Sequence, residues 1–376
     1  MGRIRILGQG FFVYKVRNDV KARRDMEKLS IGIIFGGASS EYGVSLQSAS
    51  AVIRNLNKDR YQPVLIGISQ QGQWFYYEGD IEHILADTWC KPTYCKSALI
   101  SPDKRERALI VLEEHTYKKI HLDAVFPILH GKNGEDGTVQ GMVELAGIPL
   151  VGCKTLSSAL CMDKDRAHKL ARMAGVEVPQ ALVINSPLET VYAKQFGECI
   201  GYPLFVKPVK AGSSYGVAKV TKEADLIPSI LEAFRYDNQV IIEENIDGFE
   251  VGCAIIGKDE LVVGEVDEIE LSGGFFDFTE KYTLKTSAIH VPARISKETA
   301  ESIKETAKKI YRALDCSGFA RVDMFWATDG RIIFNEVNTI PGFTEHSRYP
   351  GMLKAAGISF TQLLDTLIKQ AVSECQ

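Results

Sequence analysis

The stretch GFARVDMFWATDGRIIFNEVN, residues 318–338, contains two apolar runs that flank an Asp-Gly pair. Alternating side chains between turn residues predict two antiparallel strands joined by a hairpin. Side chains alternate across a strand, so Arg321 and Asp323 share one face, as do Glu336 and Asn338. Pairing Trp326 with Arg331 would put Arg321 opposite Glu336, with Asp323 as its diagonal neighbour. All four polar groups then lie on one face, and a slip of one residue would separate the two sets. Two carboxylates and an amide are hard oxygen ligands of the type magnesium takes, together with water and substrate phosphates. The alternative is an Arg321–Glu336 ion pair on an exposed face. Both strands are otherwise strongly apolar, and buried charges need partners or metals. The chain continues as TIPGFTEHSRYPG, 339–351, so that a Pro-Gly break follows the ligand pair directly.

A magnesium site implies phosphates. Lys207 stands at the end of the apolar run PLFVKP, before KAGSSYG, whose small residues allow backbone N–H groups to approach a phosphate. This is not a Walker A loop, because G-x-x-x-x-G-K-[ST] is absent. A second lysine, Lys164, opens a helix in CMDKDRAHK. For either lysine alone, a solvated surface charge is the simpler reading. VIIEENI is an extended run carrying Glu243, Glu244 and Ile246, with Glu250 just beyond it.

The 376 residues suffice for two or three domains, and the net charge of −4 excludes a nucleic-acid or membrane-surface class. No run approaches the roughly 18 apolar residues of a membrane span. The eight cysteines are scattered without a C-x-x-C pair, which points to a reducing cytoplasm and away from zinc. Residues 1–25 are basic, lack a signal-peptide core, and precede MEKLSIGIIFGG, which reads as a natural start running into a strand. They are expected to be an appended or translated-upstream extension without order. Strands at 31–35, YQPVLIGIS and LDAVFPILHG alternate with helices at 45–56 and TVQGMVELAG, implying a parallel α/β sheet up to about residue 151. A helix is expected over 157–174. Beyond it the pattern is α+β, with an amphipathic helix in KETAESIKETAKKIYRALD and a closing helix in GISFTQLLDTLIKQAV.

Seven blocks in order resemble the D-alanine–D-alanine ligases of the ATP-grasp superfamily. They are IIFGGASSEYGVSLQS, FPILHGKNGEDGTVQG, GCKTLSSALCMDKDRAHK, LFVKPVKAGSSYG, FFDFTEKYT, GFARVDMF and FNEVNTIPGFTEHSRYP. The resemblance implies an N-terminal Rossmann-like α/β domain at 26–152. It also implies a central ATP-grasp subdomain at 153–245 and a C-terminal one at 246–376, with a mobile active-site loop over 272–287. It implies ATP, two magnesium or manganese ions, D-amino acid substrates, no nucleic acid or membrane partner, and a homodimer. By the same resemblance, Lys164, Lys207 and Ser214 hold the phosphates, and Glu243, Glu244, Ile246 and Glu250 hold the adenosine. Asp323, Glu336 and Asn338 bind the metals, while Arg321 and the Gly342 N–H stabilise the transferring phosphoryl group and the oxyanion. Glu41, tied to Ser213 and Tyr282, accepts the first ammonium. Lys281 and Ser347 hold the second carboxylate or the phosphate, and His130 assists the second amine. Two departures are Gly43 and Ala211, where the family often has Glu.

Tyr282 stands where the lactate-using relatives have His, and Arg348 follows Ser347 where ordinary D-alanine ligases are commonly apolar. The pair looks most like the vancomycin-resistance D-alanine–D-serine ligases and implies Arg348 at the second substrate, with D-alanine as the alternative to D-serine. An oxidoreductase would need G-x-G-x-x-G after a strand, which is absent. A non-catalytic ATP module would not need Arg321, Glu41 and Tyr282 together.

Overall fold

A computed structural model describes residues 28–212, 215–271 and 287–374. Strands β1 (Leu29–Gly36), β2 (Tyr61–Ile68), β3 (Trp74–Tyr77), β4 (Cys95–Ile100), β5 (Ala108–Leu112), β6 (Tyr117–His121) and β7 (Ala124–Pro127) form one sheet, ordered β6-β5-β4-β3-β2-β1-β7. β1 is buried along most of its length because both its faces are covered. Ile31, Ile33 and Phe35 pack towards helices Tyr42–Asn55 and Phe360–Ser373, and Ile34 packs towards helix Thr138–Leu145. The sheet expected to be parallel over the first 151 residues is parallel only in its β2-β1-β7 part. Strands β3 to β6 are antiparallel, a pairing that needs no crossover helix, although the β3–β4 link carries the short helix Ile81–Leu85.

The helix expected over 157–174 is two helices, Thr155–Met162 and Lys164–Met173. Asp163 breaks it by leaving the helical region and accepting the Arg166 N–H at 3.1 Å, the role of an N-cap. The break puts Lys164 at the first position of the second helix.

Strands β8 (Ala181–Ile184), β9 (Leu204–Pro208), β10 (Ala218–Val220) and β11 (Val240–Glu244) form a second sheet, antiparallel and ordered β10-β9-β11-β8. Helices Thr190–Ile200 and Leu226–Ala233 cover one face through Ala193, Leu226 and Ile230. The other face is left to line a cleft.

The third sheet holds β12 (Gly248–Gly257), β13 (Leu261–Val263), β14 (Asp267–Leu271), β15 (Ser287–His290), β16 (Phe319–Ala327) and β17 (Ile332–Asn338). One face, with Val251, Cys253, Ile255, Val322 and Met324, lies in a core shared with helix Lys297–Ala313. The opposite face changes character along its length. Phe319, Ala254 and Ile256 join the N-terminal core, where the Phe319 ring centroid is 5.8 Å from Phe126 and 5.2 Å from Phe343. Farther along the same face, the side chains are charged.

The hairpin register differs from the sequence expectation. Trp326 pairs with Ile332, not Arg331, and a bulge shifts the register between Asp323 and Met324. Asp323 then faces Glu336, and Arg321 faces Asn338. Asn335 is the extra residue. Because the bulge restores the parity, the expectation that all four polar groups share a face survives the wrong pairing.

Phe319 fastens the third sheet to the N-terminal core. Phe319→Ala is expected to lower the unfolding free energy by about 3–5 kcal/mol in urea denaturation. A loss below about 1 kcal/mol would show that this contact does not hold the two layers together.

Candidate active site

A cavity of about 420 Å³ lies between the second and third sheets, within the ordinary size of a small-molecule site. Phe205, Lys207 and Glu243 come from β9 and β11, alternating with the core residues Val206 and Ile242. Lys207 Nζ lies 2.6 Å from Glu243 Oε2 and 3.5 Å from Asn335 Oδ1, bridging the two sheets. Burial alone would raise the Glu243 carboxyl, but the Lys207 and His168 charges outweigh it and hold it below its usual range. His168 donates from Nε2 to the Asn335 carbonyl at 2.8 Å, so the bulged residue is held from both of its polar ends. Lys164 Nζ donates to the Ala211 carbonyl at 2.7 Å and stands 3.9 Å from Glu336 Oε2. Glu244, Ile246 and Glu250 line the same cavity, and Glu244 accepts the Gln180 N–H at 2.9 Å. The described residues expected at ATP are therefore together.

At one end of the cavity Glu336 leads to the charged face of the third sheet. Arg321 grips Asp323 in a fork, Nε to Oδ1 at 2.8 Å and Nη2 to Oδ2 at 2.6 Å. Asn338 Nδ2 donates to the same Oδ2 at 2.8 Å. Asp323 and Glu336 face each other across adjacent strands, so the donor set contains two carboxylates and an amide oxygen on one face. Among the described residues, no three His, Cys, Asp or Glu side chains converge as a cation cage. The donor chemistry fits magnesium that completes its shell with water and phosphate oxygens.

The N-terminal domain contributes through helix Tyr42–Asn55 and two loops. Glu41 stands at the helix N-cap without capping it, and its buried carboxylate is directed at Gly131 and Gly212. Ser39 accepts the Glu41 N–H at 3.0 Å and donates to the His130 carbonyl at 2.7 Å. His130 Nδ1 donates to the Ile340 carbonyl at 2.9 Å, which leaves Nε2 as acceptor for the Ser48 hydroxyl at 3.2 Å. Both nitrogens of the histidine expected to deprotonate the second amine thus have protein partners, and burial pushes it down from 6.5 to about 4. Ser48 Oγ also accepts the Phe343 N–H at 3.3 Å. The Gly342 loop is closed by Ser347 Oγ, which accepts the Thr344 N–H at 3.0 Å; a Cβ on Gly342 would stand 2.9 Å from that oxygen. Arg348, expected at the second substrate, lies in a buried ionic cluster with Asp267, Glu250 and Asp323. Ser213, Ser214, Lys281 and Tyr282 lie outside the described residues, as does residue 272–286 of the expected active-site loop.

Three residues of the site were not foreseen. Glu135 accepts the Gly131 N–H at 2.9 Å and the Ile340 N–H at 3.0 Å, and burial and then Glu41 raise its carboxyl. Its only sequence signal is the turn-rich NGEDG. Asn335 enters through a bulge, and Asp267 is one of four acids in EVDEIE, residues 265–270, so neither has a local signal.

The chain matches the family model for the D-ala D-ala ligase N-terminus over 30–153 and for the D-ala D-ala ligase C-terminus over 170–369. It is 45% identical to the vancomycin/teicoplanin A-type resistance protein VanA of Enterococcus faecium, over 92% of this chain and 99% of that one. It is 42% identical to a D-alanine–D-alanine ligase of Caldicellulosiruptor bescii, over 93% and 96%. Among solved structures, the VanG D-Ala:D-Ser ligase from Enterococcus faecalis superposes with a TM-score of 0.85 at 54% identity, covering 92% of this chain and all of that one. Among the described residues, no helix is long and apolar enough to cross a membrane.

Because the fold keeps His130 neutral, the unfolded chain takes up its proton first as pH falls. Its stabilising contribution is complete above about pH 6.5 and is lost between there and about pH 4, by on the order of 3 kcal/mol. His130→Gln should flatten the stability profile over that window in denaturant melts at stepped pH. An unchanged slope would mean that His130 is not held neutral.

Proposed function

The chain belongs to the D-alanine–D-alanine ligase family of ATP-dependent ligases, and from that premise we propose that it joins D-alanine to D-serine. The observation that carries the chemistry is the continuity of the cavity holding Lys207 and Glu250 with the face holding Arg321, Asp323 and Glu336. A carboxylate oxygen of the first D-alanine attacks the γ-phosphorus of ATP, and ADP leaves. The amine of the second amino acid attacks the resulting acyl phosphate at carbon. The C–O bond to phosphate breaks, and the amine gives up a proton. Glu41 orients the first ammonium. Lys164 and Lys207 hold phosphate oxygens, and Arg321 and the Gly342 N–H carry the negative charge that develops. Magnesium, held by Asp323, Glu336 and Asn338, would neutralise phosphate charge when bound. The protein's contribution is mainly placement and fixed charge.

D-serine as second substrate is supported by the 54% identity to the ligase titled D-Ala:D-Ser, and by Arg348 after Ser347. Tyr282, where lactate-using relatives carry His, favours an amine nucleophile. A product ending in D-serine would supply altered peptidoglycan precursors of the vancomycin-resistance type. Ligation of two D-alanines, the activity named for the C. bescii relative, is the second reading.

Phosphate release with D-alanine plus each partner amino acid discriminates between them. A kcat/KM for D-serine about tenfold or more above that for D-alanine is expected, because a site that pairs a hydroxyl leaves a polar group unpaired without it. A clear preference for D-alanine would overturn the D-serine assignment.

A further inference from the structure

The third sheet carries a row of acids across its charged face. Asp267 on β14 pairs with Gly252 on β12, Gly252 with Asp323 on β16, and Asp323 with Glu336 on β17. Directly paired residues share a face, and Glu250, two residues from Gly252, is on it too. The row has one gap, at Gly252, and Arg348 fills it from the first turn of helix Arg348–Ala355. A Cβ on Gly252 would stand 2.5 Å from both Arg348 Nη2 and Asp267 Oδ1.

The guanidinium is shared among three carboxylates. Nε and Nη2 donate to Asp267 Oδ2 and Oδ1 at 2.7 and 2.9 Å, and Nη1 donates to Glu250 Oε1 at 2.7 Å. Nη2 also stands 3.4 Å from Asp323 Oδ1. The Arg348 side chain is 7% exposed and that of Asp267 0%, so these charges are compensated by one another and not by water. Glu250 lines the nucleotide cavity, whereas Asp323 belongs to the phosphoryl end. One rigid, planar cation therefore spans the two ends of the site.

We propose that Arg348 is a positioning residue: clamped flat by Asp267, it sets the placement of Glu250 and Asp323 relative to each other and so couples nucleotide binding to the metal-binding face. The proposal rests on the ligase reading and deepens it. Arg348 then acts on the nucleotide and the metal-binding face through these carboxylates and does not touch the second substrate. A lysine would keep the charge but, as a point cation, could not hold three carboxylates in one plane.

The test is titration of a fluorescent ADP analogue, at stepped magnesium concentrations, into the wild type and Arg348→Lys, with steady-state KM values for both amino acids. For Arg348→Lys, nucleotide affinity and the magnesium concentration for half-saturation should both worsen by about fivefold or more, the scale of an ordinary coupling between sites. The KM of the second amino acid should change less than about twofold. Unchanged nucleotide and magnesium dependence with a raised KM for the second amino acid would overturn the proposal and make Arg348 a substrate contact. Should Arg348→Lys not fold by far-UV circular dichroism, Asp267→Asn takes its place, since it keeps the shape and removes one charge of the clamp. The same signature is expected of it, and wild-type nucleotide and magnesium behaviour would overturn the proposal. The titration needs no turnover, so absence of ligase activity in the wild type would defeat the ligase reading without deciding the coupling.

Discussion

Four carboxylates on one face of a sheet must be neutralised, and the rest of the site is arranged around that requirement. Asp267, Asp323, Glu336 and Glu250 stand within two rows of one another on the third sheet. Like charges this close in a partly dry setting would repel unless cations were placed among them. Arg321 and Arg348 supply two beside Asp323. Lys164 approaches Glu336 from the helix that Asp163 starts. The same acids that make the face costly are the hard oxygen donors that the proposed magnesium would need.

The β-bulge at Asn335 is what allows this face to form. Without it, Glu336 and Asn338 would turn to the core beside Val322 and Met324, where a carboxylate has no partner. With it, two successive residues, Asn335 and Glu336, both line the cavity, and Asn335 takes up contacts with Lys207 and His168. A local irregularity in one strand thus joins the second sheet to the third.

The N-terminal domain fixes the far side of the site through buried hydroxyls. Ser45 accepts the Gly36 N–H and donates to the Ile128 carbonyl, tying helix Tyr42–Asn55 to the ends of β1 and β7. Ser48, one turn later, holds His130 and the Phe343 N–H. Glu135 holds the Ile340 N–H. The loop carrying Gly342 is therefore positioned by the first domain, although it follows the last strand in sequence. Each of these groups is buried or half-buried, so an unmade bond would leave a desolvated polar atom.

Much of the site was legible in the chain because alternation along a strand is a local property. Arg321 with Asp323, and Glu336 with Asn338, could be assigned to common faces from a period of two, and Asp329-Gly330 announced the turn between them. Lys164 at a helix start and Lys207 at a strand end were readable for the same reason. Register was not, since the offset between strands depends on packing of the whole sheet, and the bulge displaced Trp326 from Arg331 to Ile332. Nor were the partners of Arg348, 81 residues from Asp267, or of His130, 210 residues from Ile340. Sequence determined which chemical groups the chain carries and which neighbours along a strand share a face. Tertiary structure decided which charges meet, because only the closing of three sheets around the cleft brings separate elements within hydrogen-bonding range.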